Sequence, residues 1–375
     1  MENKVYLAPC DGYEAGKVRK AVHDALSAFG GAESLAGGKR VLIKANLLMT
    51  STPDKAVTTH PSVIKALAEE FIAAGCTVEI ADSCGGIYTE EILKRLYVVS
   101  GMKRVADETG AVLNYDVSSF EREVPDGVRI KKVQLITPVS RADFIISAAK
   151  MKTHGFTYYT GAAKNMFGTI PGLLKAAMHS RFPDKHAFCE MLVDLCESVS
   201  PDLSIIDGVI GMEGAGPSGG SPKFGGVIVA SESPYAADFS AMRIMGLSPE
   251  RSPLHMAAVA RGLVGDVVLE GAPVSQFYTS FEPAYKKETR TVFAILPGAA
   301  RTYIERLLAA YPNVMKSKCV GCGECVRSCP ESTIKLKEKK AQIDYKKCIR
   351  CYCCQEMCPA RAIKIERFAK YRKRK

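Results

Sequence analysis

Over the first 270 residues, short apolar runs alternate with stretches of helical period. Arg40–Lys44, Thr77–Ala81, Ala111–Tyr115, Ala142–Ser147, Leu203–Ile206 and Gly226–Ala230 are rich in Val, Ile and Leu, and each predicts a strand. Pro61–Ala74 predicts a helix, with Thr59 or His60 at its start, proline in its first turn and Gly75 past its end. Glu90–Ser100, Lys185–Ser198 and Pro234–Met245 predict further helices, the last stopped by Gly246. Arg129–Ile136 reads as an added antiparallel strand. Strands spaced by helices in this way predict an α/β fold, a mostly parallel sheet covered by helices on both faces. Residues 271–313 read as a bridge, with an irregular aromatic stretch Phe277–Tyr285, a strand Thr291–Ile295 and a helix Arg301–Tyr311. Beyond it, Ser332–Lys337 and Lys340–Tyr345 alternate polar and apolar residues around a turn, which predicts a hairpin, and Ala360–Ile365 repeats the strand pattern. The expected organisation is a body over 1–270, the bridge, a small α+β module over 314–368 and a basic tail over 369–375.

Sheets of this kind bind ligands beyond the carboxyl ends of their strands, so the residues just after each apolar run carry the chemistry. Those segments are Lys44-Ala-Asn46, Asp82-Ser-Cys-Gly-Gly86, Lys150-Met-Lys152-Thr-His154-Gly155 and Asp207 with the glycine-rich stretch to Gly220. Lys44, Lys150, Lys152 and Lys164 are expected to converge with His154, since a compact ammonium suits carboxylate or phosphate. Lys152 and His154 are the candidate catalytic residues. His154 titrates near neutrality and serves either as an acid–base group or to hold its loop. Asn46, Asp82, Asn165 and Asp207 are candidate ligand-binding residues, with helix capping as the alternative role for each aspartate. The 211–220 stretch runs to Pro217 and Pro222 and another strand, so it is not a dinucleotide fingerprint, and no Walker A pattern occurs.

Charge and cysteine are unevenly spread. Residues 316–375 hold 18 Lys and Arg against 6 Asp and Glu, which leaves the preceding 315 residues nearly neutral. Nine of the 14 cysteines lie between Cys319 and Cys358. The scattered remainder suits a reducing, cytoplasmic setting. No run of 18 uncharged apolar residues predicts a membrane span, and the N-terminal residues lack the pattern of a signal peptide. The basic end favours an acidic redox partner by electrostatic steering. Its few aromatics form no stacking motif for nucleic acid.

The cysteines read Cys319-x2-Cys322-x2-Cys325-x3-Cys329-Pro and Cys348-x2-Cys351-x2-Cys354-x3-Cys358-Pro. Paired C-x2-C units also build zinc sites, but a doubled x2-x2-x3-Pro run has no zinc rationale. The pattern resembles the bacterial two-cluster ferredoxins. That resemblance implies two [4Fe-4S] clusters with crossed ligation, the fourth cysteine of each run serving the other cluster. One cluster would take Cys319, Cys322, Cys325 and Cys358, and the other Cys348, Cys351, Cys354 and Cys329. Cys353 is expected to be a packed bystander.

The Lys-x-Asn at 44–46, the Asp82-Ser-x-Gly-Gly, the Lys-x-Lys-x-His-Gly at 150–155 and Lys164-Asn-x-Phe-Gly168 resemble the DUF362 family, a domain of unknown function often fused to such a ferredoxin. A looser resemblance to the N-terminal domain of nickel-dependent lactate racemase hints at small anionic substrates. The combination implies an iron–sulfur oxidoreductase of anaerobic metabolism. Its ferredoxin end would pass electrons, received from an acidic ferredoxin or flavodoxin, to a small anionic substrate or further cofactor on the body. An electron carrier or reductive activator of a partner protein is the alternative.

Overall fold

A computed structural model describes residues 2–284 and 310–367. The body is built on a nine-stranded sheet. Its strands are β1 (Glu2–Pro9), β2 (Arg40–Ala45), β3 (Thr77–Ala81), β4 (Val112–Leu113), β7 (Phe144–His154), β8 (Tyr158–Thr160), β9 (Leu203–Glu213), β10 (Ser221–Ser231) and β11 (Asp266–Gly271). The order is β11-β1-β10-β9-β7-β2-β3-β4, with β8 pairing on β7. β10 runs antiparallel to both its neighbours and β8 antiparallel to β7, while the other ladders are parallel. The sheet is therefore mostly parallel, as the strand–helix alternation predicts.

Period-two alternation splits the strands between two cores. Val41, Ile43, Ile146, Ala148 and Ile205 face the helices Ala15–Ser27, Pro61–Ala73 and Glu90–Ser100. On the other face, Leu42 and Ile145 pack under the helix Lys185–Val199, and Ala149, Met151 and Ile206 under the helix Pro234–Ile244. The helix starts follow their capping residues. His60 accepts from the Ser62 N–H ahead of Pro61, and Asp184 accepts from the N–H groups of His186 and Ala187.

Two strands run further than expected. β7 continues to His154 with all eleven residues buried, so Lys150, Lys152 and His154 lie on the strand itself. β9 continues to Glu213 and includes Asp207, which pairs across the ladder with Lys150. Three expectations need correction. The strand expected over 111–115 is only Val112–Leu113. The one expected over 129–136 is β6 (Lys132–Ile136), which pairs with β5 (Ser119–Glu123) in a separate two-stranded sheet. The helix expected over 301–311 cannot include its last two residues, which open the strand β12 (Ala310–Val314). The rest of that helix, the strand at 291–295 and the basic tail lie outside the described residues.

In the C-terminal module, β12 pairs antiparallel with β15 (Ile363–Arg367), and β13 (Ile334–Lys337) with β14 (Lys340–Ile343). The internal repeat extends to the backbone. Gly321 and Gly323 take positive φ in the first cysteine loop, and Arg350 and Tyr352 do so at the equivalent places in the second. Among the described residues no helix is long and apolar enough to cross a membrane.

Candidate functional site

The polar residues at the strand ends form three groups. The first lies on the face of the second core. Lys44 is fully buried and pairs with Asp82 at 2.7 Å, while its Nζ also donates to Asn165 Oδ1 at 3.2 Å. Asn165 Nδ2 donates to the Lys44 carbonyl and to Ser147 Oγ. Asp82 accepts the Leu47 and Leu48 N–H groups, which fixes the turn after β2. A Cβ on Gly168 would overlap Asp82 Oδ1 and Lys44 Nζ, which is why glycine stands there.

The second group lies on the opposite face. Lys150 pairs with Asp207 at 2.9 Å and donates to Tyr13 Oη at 2.7 Å. Tyr13 Oη donates to Asp207 Oδ1, and the His60 N–H donates to Asp207 Oδ2. The Tyr13 and His60 rings stack with centroids 3.5 Å apart. Burial beside Lys150 lowers His60 to about 4 and so keeps its ring neutral. Lys44 and Lys150 thus do not converge. Each is held by its own aspartate, on opposite sides of the sheet.

The third group is where the module meets the body. Lys152 is buried and donates to Asn46 Oδ1 and to the Val57 carbonyl, both neutral. Lys164 is half-buried, lies 5.4 Å from the Phe167 ring, and makes no hydrogen bond or ion pair among the described residues. Burial pushes both ammonium groups below the ordinary lysine value. His154 Nδ1 accepts from the N–H groups of Phe156 and Thr157, so in the neutral ring Nε2 carries the proton. Nε2 lies 3.3 Å from Glu356 Oε1. Burial and the nearby lysines hold His154 well below its ordinary value. With Nδ1 occupied, the ring offers a donor at Nε2 rather than a free base.

Glu356 belongs to the module, in the segment between Cys354 and Cys358. Its neighbours have seats of their own. Gln355 Nε2 donates to the Ala215 carbonyl at 3.0 Å, Ser218 Oγ donates to the Glu356 carbonyl at 2.6 Å, and Met357 lies against Gly85. Gly85 and Gly86 after β3, and Gly219 after β9, make room for the module. Among the residues that the sequence does not single out are Glu356, Tyr13 and Lys175, while His60 is legible only as a helix start. Glu356 is detectable only as an acidic residue in a basic segment, and Tyr13 leaves no signal.

Two hollows in the module gather the two expected cysteine sets. One is lined by Cys319, Cys322, Cys325 and Cys358, mostly among apolar side chains. The other is lined by Cys329, Cys348, Cys351 and Cys354, with Cys353 beside them. Backbone N–H groups of Ala341, Thr333 and Ala362 donate to Cys319, Cys329 and Cys358 Sγ, the kind of hydrogen bond that tunes the potential of an iron–sulfur cluster. Among the described residues, no three Cys, His, Asp or Glu converge on a single-ion site. A cubane takes one thiolate per iron, so its ligands stand apart, and the donor sets fit.

Residues 41–243 match the family described as domain of unknown function (DUF362), and residues 311–359 match the 4Fe-4S dicluster domain. The thylakoid-associated protein sll1697 of Synechocystis sp. is 31% identical over 272 residues, covering 70% of this chain and 81% of that protein. The lactate racemase apoprotein from Thermoanaerobacterium thermosaccharolyticum aligns at 17% identity with a TM-score of 0.36, covering 54% of this chain and half of that one.

Gly168→Ala should break the buried Lys44–Asp82 pair and cost about 3 kcal/mol or more in urea denaturation. Gly16→Ala, which meets nothing within 4 Å on a helix, should be neutral or slightly stabilising. Equal midpoints for the two variants would refute this account of Gly168. Lys175 donates to Ser83 Oγ and the Cys84 carbonyl, and burial lowers it from 10.5 to about 8. Between those values the unfolded chain binds the extra proton, so stability from this residue rises with pH across that window. The stability difference between wild type and Lys175→Met should therefore move in the wild type's favour from about pH 8 to about pH 10. A difference independent of pH would contradict the lowered value.

Proposed function

The chain belongs to the DUF362 family and carries a 4Fe-4S dicluster domain, and on that premise we propose that it is an iron–sulfur oxidoreductase acting on a small anionic substrate at the strand ends of the body. Cys319, Cys322, Cys325 and Cys358 would hold one [4Fe-4S] cluster, and Cys348, Cys351, Cys354 and Cys329 the other. Bound clusters supply one-electron transfer. Lys152 and Lys164 supply positive charge for the anion, and His154 supplies a proton at Nε2. Lys44, Asp82 and Asn165 hold the β2 end in place, and Lys150 and Asp207 hold the β9 end. The observation that carries the reading is the seat of residues 355–357. The segment joining Cys354 to Cys358, one proposed ligand of each cluster, is the segment that enters the polar strand ends, with Glu356 against His154. That arrangement keeps the route from module to body short. The basic module favours an acidic donor in a reducing, cytoplasmic compartment.

A second reading, reductive activation of a partner protein, is favoured by the closure of the same site, since Lys152 and His154 are each 1% exposed. Reoxidation separates the two. After anaerobic reduction, small carboxylates or phosphate esters that carry a reducible group, such as a ketone or a C=C bond, should reoxidise the clusters under the first reading by accepting their electrons. Reoxidation by protein acceptors alone would leave the second.

Anaerobic purification should give about eight iron and eight sulfide per chain. One or two zinc ions without sulfide would overturn the cluster assignment. Cys329→Ala and Cys358→Ala should each damage a different cluster by electron paramagnetic resonance, and Cys353→Ala should spare both. Loss of the same cluster in both alanine variants would refute crossed ligation.

A further inference from the structure

Around His154 there are more positive than negative groups. Lys44 and Lys150 are each matched by an aspartate. Lys152 has only neutral acceptors, Lys164 has no hydrogen-bond or ion-pair partner among the described residues, and the buried His154 Nε2 makes no hydrogen bond although Glu356 Oε1 lies 3.3 Å away. One carboxylate, that of Glu356, stands against the imidazole N–H, and its charge is felt by Lys152 and Lys164. That carboxylate comes from the module, and its side chain is 12% exposed. A buried ammonium without a counter-charge costs several kcal/mol, so this arrangement selects for an anion.

The anion present is informative about the chemistry of the site. Glu356 offers a planar pair of oxygens to an N–H donor and to positive charge, which is what a small carboxylate would offer. Its attachment differs from that of its neighbours. Gln355 and the Glu356 backbone are hydrogen-bonded to the loop at 215–218, and Met357 packs on Gly85. The Glu356 side chain is held by no hydrogen bond among the described residues, and so is the part of the seat that can leave without undoing the rest.

We propose that the cluster of His154, Lys152 and Lys164 is a binding site for a small carboxylate, that the Glu356 side chain is its built-in occupant, and that an external carboxylate binds by taking the place of that side chain. This rests on the reading of the strand ends as an anion site, and adds the ligand class and the competition. The module then does more than deliver electrons. It covers the site when no ligand is there and yields one side chain when a ligand arrives. Binding energy drawn from the two lysines is offset by the loss of the Glu356 contact, so affinity in the wild type is lower than the pocket alone would give.

The test uses the full chain with its clusters assembled anaerobically. Acetate, malonate and inorganic phosphate are titrated calorimetrically into wild type, Glu356→Gln, Glu356→Ala and Lys164→Met. At least one carboxylate should bind Glu356→Ala tenfold or more tightly than wild type, with Glu356→Gln also tighter than wild type and Lys164→Met weaker. Equal affinity for wild type and Glu356→Ala, lowered by Lys164→Met, would leave the anion site standing and overturn the role of Glu356. Phosphate binding more tightly than both carboxylates would overturn the ligand class. No binding of any probe to either protein would overturn both the site and the competition. If the Glu356 variants fail to keep their clusters, amide exchange on the wild type decides. Saturating malonate should raise exchange over residues 353–357, and an unchanged pattern would overturn the proposal.

Discussion

Lys44 and Asp82 face each other at 2.7 Å without solvent, and much of the candidate site is arranged around them. A lone buried charge of either sign would cost several kcal/mol, so each residue is tolerable only because the other is there. The pair also takes up groups from three further places in the chain. Asp82 draws in the backbone after β2, Asn165 ties the turn at 161–165 to Lys44, and Gly168 lets the chain pass close over both. Asp238 braces the same turn from behind, accepting the N–H groups of Ala162 and Ala163, and burial raises its carboxyl to about 7. Lys164 sits on that turn. Its position in the pocket is therefore a consequence of a charge pair it does not touch.

The same logic separates structural lysines from available ones. Burial penalises every ammonium at the strand ends, and what differs is the compensation. Lys44 and Lys150 have carboxylates within 3 Å, while Lys152 has carbonyl oxygens and Lys164 has an aromatic ring. The first two are anchors for β2 and β9. The last two have no carboxylate within ion-pair distance among the described residues, and burial holds both below the ordinary lysine value.

Legibility in the sequence tracks the physics of each element. Helices with a proline start and a glycine stop, such as Pro61–Ala73, are readable to within a residue, because those signals are local. β7 reads short because lysines at 150 and 152 look like the end of an apolar run. They are tolerated inside a central strand only through partners such as Asp207, Asn46 and Val57, which lie far away in sequence. The cysteine spacing is fully legible, since tight loops impose it. The separation of the four lysines is not, because alternation along β2 and β7 sends Lys44 and Lys150 to opposite faces, and which strand pairs with which is not written in either segment. Glu356 is invisible as a site residue for a different reason. Its position in the cysteine run accepts any side chain, and its role appears only when the module is seated on the body.

That seating gives the crossed cysteine pattern a second consequence. Cys354 and Cys358 line different cavities, and only Gln355, Glu356 and Met357 lie between them. Those three residues carry contacts to the loops after β3 and β9 and to His154. A segment this short, fixed at both ends, has little freedom to shift without moving a cysteine. Changes at the cysteine cradles and changes at the strand ends are therefore mechanically linked through one turn of chain. The glycines at 85 and 219 belong to the same device, since a side chain at either would push against Met357 or Gln355 and lift the segment from its seat. Gly85 and Gly219 are thereby the complement of the module's surface, beside the polar groups of the strand ends.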